Sequence, residues 1–288
     1  MNRITTLATL AAAGLALSAC SSSAETATQA SVSASTAPTC DAATLATLEP
    51  GTLTIATGQP AYEPWVADDA PESGKGFEAA VAMAAAAKLG YSAADVQWVR
   101  TTFDGAIAPG AKDFDWNLQQ FSVTEDREKA VDFSSSYYDV NQAIVSFGGS
   151  PIAGATSVAE LQTAKLGAAV GSTSLEAAQA LGTAEEVSVF NDNAAAVSAL
   201  KNEQIDGIVV DLPTAFYLAA VEIDDGVIVG QLPASEGGTT DQFGILLANN
   251  SPLTQCTSQA VDALREDGTL AQLEEQWLGT DAGAPTLQ

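Results

Sequence analysis

The sequence predicts an α/β protein with largely parallel sheets, divided between two lobes. Segments that read as strands and helices alternate along most of the chain, which is the pattern of βαβ units. The strands are short and fall into two groups. A chain of 288 residues with 47% hydrophobic content is also long enough to build a core in each of two lobes.

Element by element, "GTLTIAT" (51–57) reads as a strand, and the Ala-rich "GFEAAVAMAAAAKLG" (76–90) as a helix closed by Gly90. "VQWVR" (96–100) is a strand and "FDGAIAPG" (103–110) a short helix. "WNLQQFSV" (116–123) is strand-like and leads into a helix expected to start at Thr124, an N-cap residue followed by Glu125 and Asp126. "YYDVNQAIVSF" (137–147) is extended. Then come the strand "KLGAAVG" (165–171), the helix "SLEAAQALG" (174–182), the strand "EVSVF" (186–190) and the helix "NAAAVSALKNEQ" (193–204). "IDGIVVD" (205–211) is a buried strand, "PTAFYLAAV" (213–221) a helix, "FGILLA" (243–248) a strand, and Leu253 through Leu278 one long helical region. No internal repeat and no GxGxxG turn stands out, so a dinucleotide enzyme is not supported.

Ten Lys and Arg stand against 36 Asp and Glu, and a net charge of -26 argues against nucleic acid as a partner. Histidine is absent, which removes the commonest general base, the Ser-His-Asp and Cys-His arrangements and most zinc sites. No metal or other cofactor is expected, nor is an ordinary hydrolase.

The N-terminus carries Arg3, an apolar run from about Ile4 to Leu17, and then Leu17-Ser18-Ala19-Cys20. A run this short reads as a secretory signal before it reads as a membrane span. The tetrapeptide resembles the lipobox of bacterial lipoproteins, which implies a signal peptide over 1–19, a diacylglyceryl group on Cys20, and anchoring to the outer face of the cell membrane. Residues 20–39 are Ser/Thr/Ala-rich without apolar period and read as a disordered tether. Cys40 and Cys256 remain, in an oxidising compartment, and are expected to pair; two free thiols are the alternative.

Three places could share one ligand. Arg127 falls in the first turn of the expected helix, where a cation opposes the helix dipole by roughly 0.3 to 1 kcal/mol. With Gln119, Gln120 and Ser122 leading up to it, it offers a fork of donors for a carboxylate; a surface pairing with Glu125 or Asp132 is the alternative. "VGSTS" (170–174) has Gly171 for a tight turn, and amides and hydroxyls around Ser172 and Thr173 suited to an anion, or to plain capping. Asp211 ends an apolar strand just before Leu212-Pro213, where it could hold an ammonium group or cap the next helix. A carboxylate clamp and an ammonium acceptor together describe a site for a free α-amino acid.

"FSVTEDREKAVDFSSSYYDVNQAIV" (121–145), with its Ser, its Thr-x-x-Arg and its "DFS…YY" run, resembles the signature of the family 3 extracellular solute-binding proteins, the amino-acid receptors of bacterial ABC importers. The likeness runs from about Leu53 to Trp277, with "GFEAAVAMAAAAKLG", "VGSTS", "IDGIVVD" and "ALREDGTLAQLEEQW" in the expected order. It implies a two-lobed fold of the type II periplasmic-binding-protein class, with mixed sheets flanked by helices and two crossover strands near Asp139 to Ser146 and Gly237 to Gly244 as hinge. Lobe one is then 40–142 with 241–288, and lobe two is 143–240. By motif position, Arg127 takes the ligand α-carboxylate with Ser122 and the Thr173 amide, Asp211 takes the α-ammonium, and Phe103 with Tyr62 or Trp65 packs on the side chain.

The same likeness implies a monomeric binding protein, not an enzyme, that hands its amino acid to ABC permease subunits. Where many members carry an acidic residue, "TGQPAYEPW" has Gly58 and Gln59; with Gln119 and Gln120 replacing small residues and no second cation on the walls, the pattern favours a neutral polar ligand. The alternatives are a dehydratase on the same fold, with Glu63 as the acid to watch, and a sensor without transport.

Overall fold

Two five-stranded sheets organise the chain. The computed structural model describes residues 40–233, 240–279 and 284–288. All of them lie in one compact unit, Pro38–Gln288. The expected signal peptide, lipid-bearing Cys20 and tether lie outside the described residues, as does part of the second expected crossover.

In chain order the elements are β1 (Leu53–Gly58), α1 (Phe77–Lys88), β2 (Val96–Thr101), α2 (Phe103–Ile107), β3 (Trp116–Asn117), β4 (Val131–Val140), β5 (Gln142–Phe147), β6 (Leu166–Ala169), α3 (Thr173–Ala180), β7 (Ser188–Phe190), α4 (Asn193–Lys201), β8 (Gly207–Asp211), α5 (Leu212–Tyr217), β9 (Gly226–Gln231), β10 (Asp241–Ala248), α6 (Thr254–Glu266) and α7 (Thr269–Trp277). The first sheet runs β2-β1-β3-β10-β4 and the second β7-β6-β8-β5-β9. β1 is parallel to β2 and β3, while β10 is antiparallel to β3 and β4. The second sheet repeats the plan: β6 is parallel to β7 and β8, and β5 is antiparallel to β8 and β9. Both sheets are therefore mixed.

The chain leaves the first sheet at Val140 and enters the second at Gln142, and it returns between Gln231 and Asp241. Asp241 pairs with Val140, so outgoing and returning strands meet side by side. In lobe one, the half built on the first sheet, Trp65 packs edge-on against Phe77, Tyr138 and Phe243 at centroid distances of 6.1, 6.2 and 5.7 Å. In lobe two the second sheet buries both faces: Ile144 and Val209 pack to one side, Val145, Ile208 and Val210 to the other. Continuous apolar runs such as "GIVV" are what such a doubly covered strand needs.

Four sequence expectations need correction. The helix expected at Thr124 is one 3-10 turn, Arg127–Lys129, with Asp126 and not Thr124 at its N-cap; the Thr124 hydroxyl accepts the Arg127 amide at 3.2 Å, but β4 claims the chain from Val131, where alternation pairs it with β10. The long helical region splits at Gly268, whose φ of +80° is left-handed, into α6 and α7. β9 was not foreseen, because its run of Val227, Ile228 and Val229 is short and bounded by Gly226 and Gly230. The C-terminal tail, assigned to lobe one, docks on the second sheet: Thr286 bridges to Gln231, and Leu287 is buried among Ile144, Val209 and Val229.

Cys40 and Cys256 form a disulfide with Cα atoms 5.3 Å apart, fastening the start of the described chain to α6. Among the described residues no helix is long and apolar enough to cross a membrane.

Closing a loop of this length removes much of the freedom of the unfolded chain. The double variant Cys40→Ala/Cys256→Ala should lose about 2 to 4 kcal/mol of unfolding free energy in urea titration. A titration curve overlaying that of the oxidised parent would show that the bridge adds nothing.

Candidate functional site

A cavity of about 250 Å³ lies between the lobes. The carboxyl ends of four parallel strands open onto it through Gly58, Thr101, Ala169 and Asp211, the usual ligand position in open α/β sheets. Of the residues expected from sequence, Arg127, Asp211, Thr173, Ser172, Gln119, Gln120, Phe103, Tyr62 and Trp65 all line it. Ser122 is not on its lining but sits one contact away, its hydroxyl 3.1 Å from that of Thr173.

Arg127 is 9% exposed and makes no ion pair with Glu125 or Asp132. Asp132 instead accepts from the Asn250 and Ser251 amides and the Thr254 hydroxyl. The Arg127 guanidinium donates to the Ser122 carbonyl at 2.6 Å in lobe one and to the Gly171 carbonyl at 2.9 Å in lobe two, and lies 5.4 Å from the centre of the Phe103 ring. That ring stacks on Phe121 at 4.8 Å. Burial pulls the pKa of Arg127 down, and Glu176, Asp211 and Asp241 push it back up. The positive φ of Gly171, +69°, turns its carbonyl into this bond, and a Cβ there would meet an Asp104 carboxylate oxygen at 2.8 Å.

Asp211 stands at the N-cap of α5, yet its side chain makes no capping bond. It accepts instead from the side-chain amide of Gln142 at 2.8 Å, and the same NH₂ donates to Asp241 at 3.1 Å. Ser174 donates to the Gln142 carbonyl oxygen at 2.6 Å, which fixes the amide's orientation. Burial raises the Asp211 pKa to about 7; the Gln142 bond and Arg127 lower it, while Asp241 and Glu78 add to the rise. Ser172 caps α3, accepting the Leu175 amide at 3.1 Å, so the capping reading of this stretch holds for its hydroxyl.

The two glutamines behave differently. Gln119 turns inward in lobe one, donating to Thr101 Oγ1 at 2.7 Å. Gln120 has a φ of +53°, rare for a side chain this long, and Glu78 holds it there. The Glu78 carboxylate, 1% exposed in the first turn of α1, accepts the Gln120 amide N–H at 2.7 Å together with the Gln120 side-chain amide and the Tyr137 hydroxyl. Sequence reasoning missed Glu78 and Gln142. For Glu78 a signal existed, an acidic residue within an otherwise apolar helix; for Gln142 there was none.

Trp65 is chiefly a core residue, 1% exposed, whose indole N–H donates to Thr214 of lobe two at 2.9 Å. Tyr62 is the more open wall. Glu63, the acid proposed for a dehydratase, is exposed and absent from the main cavity lining.

Two mixed sheets joined by adjacent crossing strands, with a cleft holding opposite charges at their strand ends, define a two-lobed binding protein. The chain belongs to the bacterial extracellular solute-binding proteins, family 3, whose model matches residues 53–280. It is 27% identical over 237 residues to the L-cystine-binding protein TcyJ of Escherichia coli (strain K12), covering 81% of this chain and 85% of that one. An ancestral arginine-binding protein bound to arginine superposes with a TM-score of 0.64 at 30% identity, covering 79% of this chain and 98% of that chain. The ancestral amino acid-binding protein AncCDT-1, a precursor of cyclohexadienyl dehydratase, does so with a TM-score of 0.65 at 28% identity, over 79% and 95%.

Burial raises the pKa of Glu78 to about 7 against the bonds from Tyr137 and Gln120. A carboxyl group whose folded pKa exceeds its unfolded one favours folding below the unfolded value, and that contribution is lost as pH rises toward the folded pKa. Stability of the wild type should therefore fall between about pH 4.5 and pH 7, by on the order of 3 kcal/mol from this group alone. In Glu78→Gln the slope over that window should flatten, as read by urea unfolding at several pH values. Glu78→Ala should be the more damaging change, leaving the Gln120 amide and Tyr137 hydroxyl unpaired at about 1 to 3 kcal/mol each.

Proposed function

We propose that the protein captures a free L-amino acid with a polar side chain between its lobes and delivers it to ABC permease subunits, without chemistry of its own. The observation that carries this reading is the pair of opposite charges, Arg127 and Asp211, on one cavity between the lobes with no direct ion pair between them among the described residues. Arg127 takes the α-carboxylate, assisted by Ser122 and the first amides of α3 at Thr173. Asp211 takes the α-ammonium, and Phe103 and Tyr62 flank the side chain. The relatives named above, which bind L-cystine and arginine, support an amino acid as ligand.

Within this proposal 40–142 with 241–279 moves as one lobe and 143–233 as the other, the protein acts as a monomer, and a lipid on Cys20 holds it at the membrane. The dehydratase reading draws on the likeness to AncCDT-1, but Glu63 is poorly placed for it. Incubation with arogenate should therefore yield no aromatic product.

Melting temperature against the twenty amino acids, ornithine, citrulline and cystine comes first; ligand at 100 times its Kd should add about 2.7 kcal/mol. No shift with any of them, after unfolding and refolding to strip carried-over ligand, would overturn the reading. Arg127→Ala and Asp211→Ala should each weaken binding more than 100-fold, since each leaves a ligand charge without its partner, at about 3 to 5 kcal/mol.

Binding should also release a proton. Burial raises the Asp211 pKa to about 7, and an ammonium group beside it would lower that value. Affinity should rise with pH from 5 to about 7 and level off above, and calorimetry in buffers of different ionisation enthalpy should count the proton. Asp211→Asn should abolish this dependence together with most of the affinity.

A further inference from the structure

A second cavity, of about 200 Å³, adjoins the first, and Tyr62, Trp65, Gln120 and Asn193 line both. Neither Arg127 nor Asp211 reaches it, so it offers nothing to the α-groups of a ligand. Its other walls come from α4, α5 and the turn that follows, and they bring Lys201 and Glu222 opposite Glu63 of lobe one. None of these three makes an ion pair within 4 Å among the described residues. Glu222 accepts the Tyr217 hydroxyl at 3.2 Å, and Glu63 the Asp68 amide at 3.4 Å.

Tyr62 stands at the junction. Its hydroxyl is buried and has no hydrogen-bond partner among the described residues, an unusual state for a phenol that a ligand group could relieve. Burial, then the charges of Asp192, Asp69 and Glu222, push its pKa up to about 12, so it stays protonated and able to donate.

The charge pattern narrows the ligand. A purely anionic head would face Glu63 and Glu222 with Asp192 close by. A purely cationic head would match the glutamates but oppose Lys201. A head with both charges finds a partner for each.

We infer that the ligand is an extended α-amino acid whose side chain passes Tyr62 into the second cavity and ends there in a head carrying both an ammonium and a carboxylate group, as in two amino acids joined through sulfur. This rests on the reading that Arg127 and Asp211 hold the first pair of α-groups.

The test is calorimetry on the intact protein with cystathionine, arginine, citrulline, glutamine and glutamate, for the wild type, Ser198→Trp, Lys201→Met and Glu222→Gln. Ser198 lines the second cavity and not the first, and Trp there would fill it. Cystathionine should bind the wild type at least tenfold more tightly than glutamine. Ser198→Trp should weaken cystathionine at least 30-fold while changing glutamine less than threefold, which also shows that the variant is folded. Lys201→Met and Glu222→Gln should each weaken cystathionine about tenfold and leave glutamine unchanged.

Equal cystathionine affinity in the wild type and in all three variants would overturn the second compartment and leave the amino acid receptor standing. Arginine or citrulline binding tenfold more tightly than cystathionine would overturn the doubly charged head. If none of the five ligands, nor any amino acid in the melting series, binds the wild type, the receptor reading falls and this inference with it.

Discussion

A buried guanidinium without a carboxylate partner is the constraint on which the cleft depends. Arg127 is taken out of water at the meeting of the lobes, and such a group must be met by dipoles or by charge. Here two carbonyls meet it, one from each lobe, and an aromatic face covers it. The carboxylates that favour its charge, those of Glu176, Asp211 and Asp241, act from a distance, and none is bonded directly to the guanidinium. A carboxylate entering there meets an electrostatic hole prepared during folding, with little reorganisation left to make on binding.

The opposite sign is handled in the same way. Asp211 and Asp241 are both held by one side-chain amide, that of Gln142, whose two N–H groups face the two acids and whose oxygen is pinned by Ser174. Neutral donors can orient carboxylates but cannot cancel their charge, which is why burial still lifts the pKa of Asp211. Glu78 extends the pattern one layer deeper, fixing the left-handed backbone of Gln120 at the cavity wall. Amides and hydroxyls thus order the site, and its opposite charges, Arg127 and Asp211, form no direct ion pair with each other.

How much of this was legible in the sequence depends on the range of the signal. Alternation of short apolar runs with helical periods located most strands and helices, because each is decided by neighbours within a few residues. Arg127 stood out because a cation in an acidic first turn opposes local electrostatics, and the structure gives it one carbonyl partner close by, Ser122, and one far along the chain, Gly171. The helix drawn from Thr124 was too long for the complementary reason: the Thr124 hydroxyl does accept the Arg127 amide, but pairing of β4 with β10, more than a hundred residues away, overrides the local helical signal. Gln142 could not be found at all, since an amide in an extended run carries no local mark of the two acids it will bridge. Cys40 and Cys256 were legible by count, and their approach to 5.3 Å is a tertiary fact.

The placement of Gln142 and Asp241 connects the site to the crossing strands. Gln142 opens β5 and Asp241 opens β10, so the amide that holds Asp211 and one of the acids it bridges stand on the segments that join the lobes. A ligand favours the closed arrangement only through contacts that differ between open and closed states. An ammonium group on Asp211 would change the charge balance across the Asp211–Gln142–Asp241 bridge, and it would do so on the strands at which the chain crosses between the two sheets. Trp65 with Thr214, and Ser122 with Thr173, supply further contacts across the cleft that exist only while the lobes are together. Under the proposed function, recognition of the charged head and closure of the cleft would act through one short network of hydrogen bonds, and substitution within it should alter both together.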